Sequence, residues 1–140
     1  MLRAVLDTNI VLAARRSNSP HSPNTEIIVR WLHREFTWLV SDDILEEYGE
    51  KLLALGIPPS EARRFLARLM ADGEYTPIRF FHLRHYPCDA DDTAFLLAAL
   101  NGQASHLVTY DQDLENAGVF YPEFTTCRPL EFLAALRLMP

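Results

Sequence analysis

The run Ala4-Val5-Leu6 passes without a polar interruption into Asp7, and apolar residues at helical spacing resume immediately afterwards at Ile10, Val11 and Leu12. A strand that is apolar on both faces is one covered on both faces, as in a parallel sheet flanked by helices. In such sheets polar chemistry gathers at the carboxyl ends of the strands. Asp7 takes that place. The first dozen residues therefore constrain the chain to a class: a buried strand, an acid at its mouth, and a helix returning over the sheet.

The remaining segments repeat the alternation. A first helix is expected over 9–14, interrupted by the polar stretch 15–23, the strongest loop signal in the chain. Asn24 or Thr25 can cap a second helix to about Glu35, with Ile27, Ile28, Trp31 and Leu32 on one face. Residues 36–40 read as a strand. Ser41 follows as an N-cap, with Asp42 and Asp43 in the first turn, where the helix dipole favours acids. That helix runs to about Leu55, stops at Gly56, and turns Ile44, Leu45, Tyr48, Leu52 and Leu53 inward. Pro58 and Pro59 open a fourth helix to about Ala71; residues 75–83 read as extended, with a strand at 78–80, and 87–90 as a turn. Residues 91–100 form a strongly apolar, central helix. A strand at 106–109, a short helix entered through 110–114, a strand at 124–126 and a helix at 129–138 complete the chain. The expected architecture is three-layer α/β/α with a central parallel sheet of about four or five strands, in a single domain spanning 1–140.

Composition narrows the function classes. Hydrophobic residues make up 49% of the chain, enough for a substantial core, and Trp31, Trp38, Tyr48, Phe80, Phe81 and Phe95 are expected in it. No run of 18 apolar residues and no leader-like N-terminus is present, so a cytoplasmic protein with no membrane span is expected. Cys88 and Cys127 are too few and too unpatterned for a disulfide framework. The net charge of −6 argues against a general polyanion binder, but its distribution is uneven: from Asp89 to Glu131 eight acids stand against one base, Arg128. Twelve of the 13 basic residues are arginine, which suits bidentate phosphate contacts and equally fits a compositional bias. His82, His85 and Cys88 have a zinc-like spacing but lack a fourth ligand, and a strand edge and loop is the preferred reading.

Three strand-to-helix junctions carry acids: Asp7, Asp111, and the group Asp89, Asp91 and Asp92. Glu47 lies about a turn and a half into the helix after the second strand, within reach of the same edge. Any one of these acids could simply cap a helix, Asp111 and Asp113 above all. Carboxylates brought together repel unless a divalent cation sits among them, and an oxygen-only set suits Mg2+ or Mn2+ rather than zinc.

The blocks Val5-Leu6-Asp7-Thr8-Asn9, Ser41-Asp42-Asp43-Ile44-Leu45-Glu46-Glu47-Tyr48, Asp89-Ala90-Asp91-Asp92-Thr93-Ala94-Phe95-Leu96 and Leu107-Val108-Thr109-Tyr110-Asp111-Gln112-Asp113-Leu114 resemble, in order and spacing, the successive motifs of the PIN domain. The resemblance covers nearly the whole chain and is strongest to the branch of toxin components of toxin–antitoxin systems, the VapC-like ribonucleases. It implies a Mg2+- or Mn2+-dependent endoribonuclease with Asp7, Glu47, Asp92 and Asp111 as the acidic quartet, both catalytic and metal-holding. It places Asn9, Asp89, Thr109 and Asp113 as outer neighbours of those ligands. It also implies an RNA substrate, a cognate antitoxin and a homodimer as candidate partners. Tyr110 departs from the family pattern of Gly or Arg, and Ser105 from a common Asp; Tyr110 could alter substrate access or stack on a base, and Arg15 and Arg16 are the first candidates to hold the RNA backbone, with solvated loop charges as the alternative reading.

Three other readings compete. A degenerate PIN-like module that binds without cutting is weakened by the four acids present. A phosphoacceptor receiver would want paired acids at the first strand and a late lysine, and Lys51 is the sole lysine. A haloacid-dehalogenase-like phosphatase would want Asp-x-Asp-x-Thr, and position 9 is Asn.

Overall fold

Short apolar segments build the sheet. The computed structural model describes residues 1–17 and 19–140; Asn18, within the predicted loop, lies outside the described residues. Strands β1 (Arg3–Leu6), β2 (Thr37–Val40), β3 (Glu74–Tyr75), β4 (His106–Val108) and β5 (Thr125–Cys127) pair in the order β3-β2-β1-β4-β5, every pair parallel. Successive strand residues point to opposite faces. Ala4, Val5, Leu6, Trp38, Leu39, Val40, Leu107 and Val108 are all fully buried, so both faces of the sheet are covered, as the continuous apolar runs predict.

The covering elements are α1 (Thr8–Arg16), α2 (Pro23–Leu32), α3 (Asp42–Ala54), α4 (Pro59–Asp72), α5 (Thr93–Asn101), α6 (Gln112–Gly118) and α7 (Pro129–Arg137), with a 3-10 turn at Ala90–Asp92 before α5. The order of strands reverses at β1: the chain winds outward through β2 and β3, then crosses to β4 and β5. A crevice between the carboxyl ends of β1 and β4 follows from that reversal.

Local signals act where they were expected. Ser41 Oγ accepts from the Ile44 N–H at 3.3 Å and caps α3, and Gly56, at φ +95°, follows its end. Pro59 and Pro129 occupy first helical positions. Tyr48 joins α3 to the sheet: its hydroxyl donates to the Leu6 carbonyl and accepts from Trp38 Nε1 at 3.3 Å, while Trp38 meets Trp31 edge-on at 5.0 Å. Because Leu6 immediately precedes Asp7, this bond fixes where Glu47 stands relative to Asp7.

Several expectations are corrected. Helix α1 continues to Arg16, so Arg15 and Arg16 lie in its last turn, where cations favour the dipole, and α2 starts at Pro23 and stops at Leu32. The third strand is Glu74–Tyr75, not 78–80. Gly73 permits this early pairing: a Cβ there would meet the Leu69 carbonyl oxygen at 2.6 Å and that of Trp38 at 3.1 Å. Residues 79 and 80 instead give their N–H groups to Asn101 Oδ1 at 2.8 and 3.2 Å, and Asn101 Nδ2 donates to the Phe80 carbonyl at 3.1 Å. One amide side chain thus replaces a strand partner. Phe80 and Phe81 are exposed, as are Leu32 and Leu53, so none of the four belongs to the core.

Candidate active site

Asp7 stands one residue beyond β1 in extended conformation, at the N-cap position of α1, yet its side chain makes no cap bond. The cap reading fails for this residue. Its Oδ2 accepts from Thr109 Oγ1 at 2.6 Å, across the crevice between β1 and β4, and only 5% of the residue is exposed. Thr109 is fully buried and uses both capacities of its hydroxyl, since Oγ1 also accepts from the Asp111 N–H at 2.9 Å. The ends of the two strands are thereby locked together.

Asp92 precedes α5 and also forms no side-chain cap bond. It is 6% exposed, and its Oδ2 is buried without a hydrogen-bond partner among the described residues. An orphaned buried carboxylate oxygen is uncommon and calls for a reason. Asp111 does cap, accepting from the Asp113 N–H at 2.9 Å, so for this residue the cap reading and membership of the acidic cluster hold together. Glu47, half-buried on α3, accepts a hydrogen bond from Thr8 Oγ1. Asp89 caps the 3-10 turn through the Asp91 N–H at 3.0 Å. Asn9, Asp89 and Asp113 are exposed, as is Tyr110 between Thr109 and Asp111.

Electrostatics unite these residues. Burial pushes the Asp7 carboxyl above its usual range, with the charges of Asp111 and Glu47 adding to the rise; the Thr109 hydroxyl and the Thr8 backbone amide oppose it. Asp92 is pushed up to about 7, first by burial and then by Asp111, Asp7, Asp89 and Glu47. Among the described residues no arginine or lysine is ion-paired with Asp7, Glu47, Asp92 or Asp111.

A hard divalent cation fits this donor set by chemistry: the side-chain donors are oxygens, and the buried Asp92 Oδ2 lacks a partner. The cluster stands open, however. Among the described residues no three His, Cys, Asp or Glu side chains close around one point. Asp7 and Glu47 each rest against a threonine hydroxyl instead.

Two residues expected to hold substrate are placed differently. The Arg15 guanidinium pairs with Glu61 of α4, and Arg16 is exposed in the last turn of α1. His85, read from sequence as part of a loop, stacks on Phe120. The functional partner missed by sequence reasoning is Thr8. Its adjacency to Asp7 carries no local signal that connects it to Glu47, 39 residues away.

Over residues 3–113 the sequence matches the PIN domain family. Among solved structures the fold is similar to VapBC2 from Rickettsia felis, crystallised bound to a DNA fragment from their promoter, at 14% identity and a TM-score of 0.60, over 91% of this chain and 98% of that one. It is also similar to PAE2754 from Pyrobaculum aerophilum, at 14% identity and a TM-score of 0.58, over 99% of this chain and 97% of that one. No curated protein sequence matches.

Proposed function

The chain belongs to the PIN domain family, and from that premise we propose that it is a metal-dependent endoribonuclease that cleaves RNA phosphodiester bonds and serves as the toxin of a toxin–antitoxin pair. The observation that carries the reading is a set of carboxylates at the sheet's switch point, two of them buried and pushed above their usual ionisation range, with no cationic side chain paired to them among the described residues. Such an arrangement is unfavourable by itself and favourable around a cation.

Asp7, Glu47, Asp92 and Asp111 would hold Mg2+ or Mn2+. The bound ion would supply an activated water and stabilise charge on the departing oxygen. The chain's own part is positioning. Thr109 holds the Asp7 carboxylate and the Asp111 backbone in one arrangement, Thr8 holds Glu47, and Tyr48 ties the helix bearing Glu47 to the end of β1. Asn9, Asp89 and Asp113 are proposed as outer neighbours, and Tyr110 as a residue at the substrate's entry.

A cognate antitoxin and a second copy of the chain are the proposed partners. Support for the antitoxin is indirect, from the fold likeness to a VapBC complex. A cytoplasmic location accords with this reading; no helix among the described residues is long and apolar enough to cross a membrane. The competing reading is a PIN-like module that binds without cutting.

Purified wild type with Mn2+ is expected to cleave RNA, and Asp7→Asn is expected to leave the RNA intact. Equal cleavage by both proteins overturns the assignment, and an inactive wild type supports the binding module. Expression with and without the adjacent reading frame tests the toxin role: growth arrest relieved by that frame is the expected result, and unimpaired growth with an active enzyme removes the toxin and retains the nuclease.

A further inference from the structure

Two grooves flank the acidic cluster, and they differ in chemistry. On the Glu47 side, the groove is lined by Asp43, Glu46, Glu50 and Asp91, with Lys51 as the one cation there among the described residues. A polyanion is repelled from that side. Beyond Asp111, a groove of about 230 Å³ lies between residues 85–88 and α6, lined by His85, Tyr86, Pro87, Asp113, Asn116 and Phe120. It begins at the cluster: the Asp113 N–H is bonded to Asp111, and Cys88 on the facing wall adjoins Asp89, whose charge acts on Asp92.

This second groove is aromatic and held in shape. His85 and Phe120 stack with ring centroids 3.9 Å apart, and both are exposed together with Tyr86. The wall carrying His85 is fixed by the buried Tyr121, whose hydroxyl accepts from the His85 N–H at 3.0 Å and donates to the His85 carbonyl. His85 covers one face of Phe120 and leaves the other side of the exposed ring for a second one, and a wall fixed in advance loses little entropy on receiving it. At the edge of the groove, Asn116 Oδ1 accepts from Gln112 Nε2 at 2.9 Å; its Nδ2 has no protein partner among the described residues, and Asp113 carries acceptor oxygens. Flat apolar faces with a donor and an acceptor at their rim match a nucleobase, which has a π-face and a polar edge.

We propose that this groove is a base-stacking subsite for single-stranded RNA, receiving a nucleobase close to the scissile phosphate against Phe120 and Tyr86, with Asn116 and Asp113 at its polar edge. The inference rests on the nuclease reading and deepens it by assigning a place in the fold to one base of the substrate. A duplex, whose bases already stack on one another, cannot offer such a face.

The test uses the full chain carrying Asp7→Asn, so that RNA is bound without being cut, and a short mixed-sequence oligoribonucleotide containing 2-aminopurine. Binding is expected to quench the 2-aminopurine fluorescence. Phe120→Ala and Tyr86→Ala should each weaken binding about tenfold and reduce the quench, Phe120→Tyr should preserve both, and a duplex of the same sequence should bind no better than single strands bind Phe120→Ala. In the protein with Asp7 restored and Mn2+ present, Phe120→Ala should raise KM and leave kcat within about twofold. Both alanine variants are at exposed positions, and an unchanged melting temperature confirms that they fold. Unchanged affinity and quench in both alanine variants overturn the subsite, as does equal binding of duplex. Cleavage by wild type with unaltered quench removes the subsite and leaves the nuclease; Phe120-dependent quench without cleavage by wild type keeps the subsite and removes the nuclease.

Discussion

Strand β1 has a charged residue at each end, and the two ends have opposite electrostatic fates. At its start, Arg3 bonds to Glu74 Oε1 at 3.0 Å and to the Gly102 carbonyl at 2.7 Å. Glu74 is consequently held below its ordinary ionisation range, and Arg3 is raised above its own. Four residues later, Asp7 has hydroxyl and amide donors and other carboxylates around it, with no ion-pair partner among the described residues, and it is pushed upward. The amino edge of the sheet pairs its charges within the fold. The carboxyl edge leaves them unpaired, at a cost in stability that a divalent cation would relieve. A buried carboxylate without a cationic partner is thus a stronger pointer to function than an acid count.

The sharpest way to break the contrast is at Asp7 itself. Asp7→Asn should reduce Mn2+-dependent RNA cleavage to the level of protein-free controls while far-ultraviolet circular dichroism stays unchanged. A variant that keeps its rate would show that the unpaired edge has no catalytic meaning.

Next in size come the hydroxyls that hold the carboxylates. Thr8→Val should lower Mn2+ affinity and cleavage about 10- to 100-fold, the usual cost of losing a ligand's hydrogen-bond partner. Thr8→Ser, which restores the donor to Glu47, should recover most of it. Calorimetric titration of Mn2+ provides a readout independent of turnover, and equal affinity in wild type and Thr8→Val would remove Thr8 from the site.

Repulsion at the carboxyl edge should also be visible without metal. Burial and the neighbouring carboxylates push Asp92 up to about 7, from 3.8 for a free aspartate side chain. Between those values the native state binds more protons than the unfolded one, so Asp92 makes stability fall as pH rises from about 4 to about 7, with the loss complete above that window. In EDTA at pH 8, Asp92→Asn should raise Tm by about 2–4 °C, the shift of roughly 1 kcal/mol in a chain near this size. Added Mn2+ should raise Tm in wild type and do so less in the variant. A wild-type Tm indifferent to both pH and Mn2+ would contradict the contrast.

The smallest effect belongs to the amino edge. Arg3 and Glu74 are partly exposed, and such a pair contributes about 0–1 kcal/mol. Glu74→Gln should therefore shift urea midpoints slightly and leave cleavage unchanged. The pair's contribution is present above the ordinary glutamate range and lost as pH falls through the lowered Glu74 value, opposite in sign to Asp92. A large loss of activity in Glu74→Gln would mean that the two ends of β1 are coupled.

Local residues carried much of the fold. The apolar runs in β1 and β4, Ser41 at its cap, Gly56 after α3 and Pro129 at the start of α7 act over one to four positions, and each was legible for that reason. Phe80 and Phe81 were misread because an apolar residue in an extended stretch looks like core until the partner of its backbone is known. That partner, Asn101, lies 21 residues from Phe80. The pairing of Arg15 with Glu61, 46 residues away, was beyond local reading for the same reason.

The sequence by itself determined the α/β class and the placement of acids at strand ends, because periodicity and turn chemistry are properties of neighbouring residues. It left open whether Asp7 and Asp111 cap helices. Only the tertiary structure decided that Asp7 forms no cap and joins Thr109 across 102 positions, that Asp111 caps and also stands among the other acids, and that Asp92 has a carboxylate oxygen with no partner among the described residues. The physical reason is that burial and pairing depend on what the fold brings from far along the chain, and those contacts decide whether an acid is a cap, a surface charge or a buried carboxylate without a cationic partner.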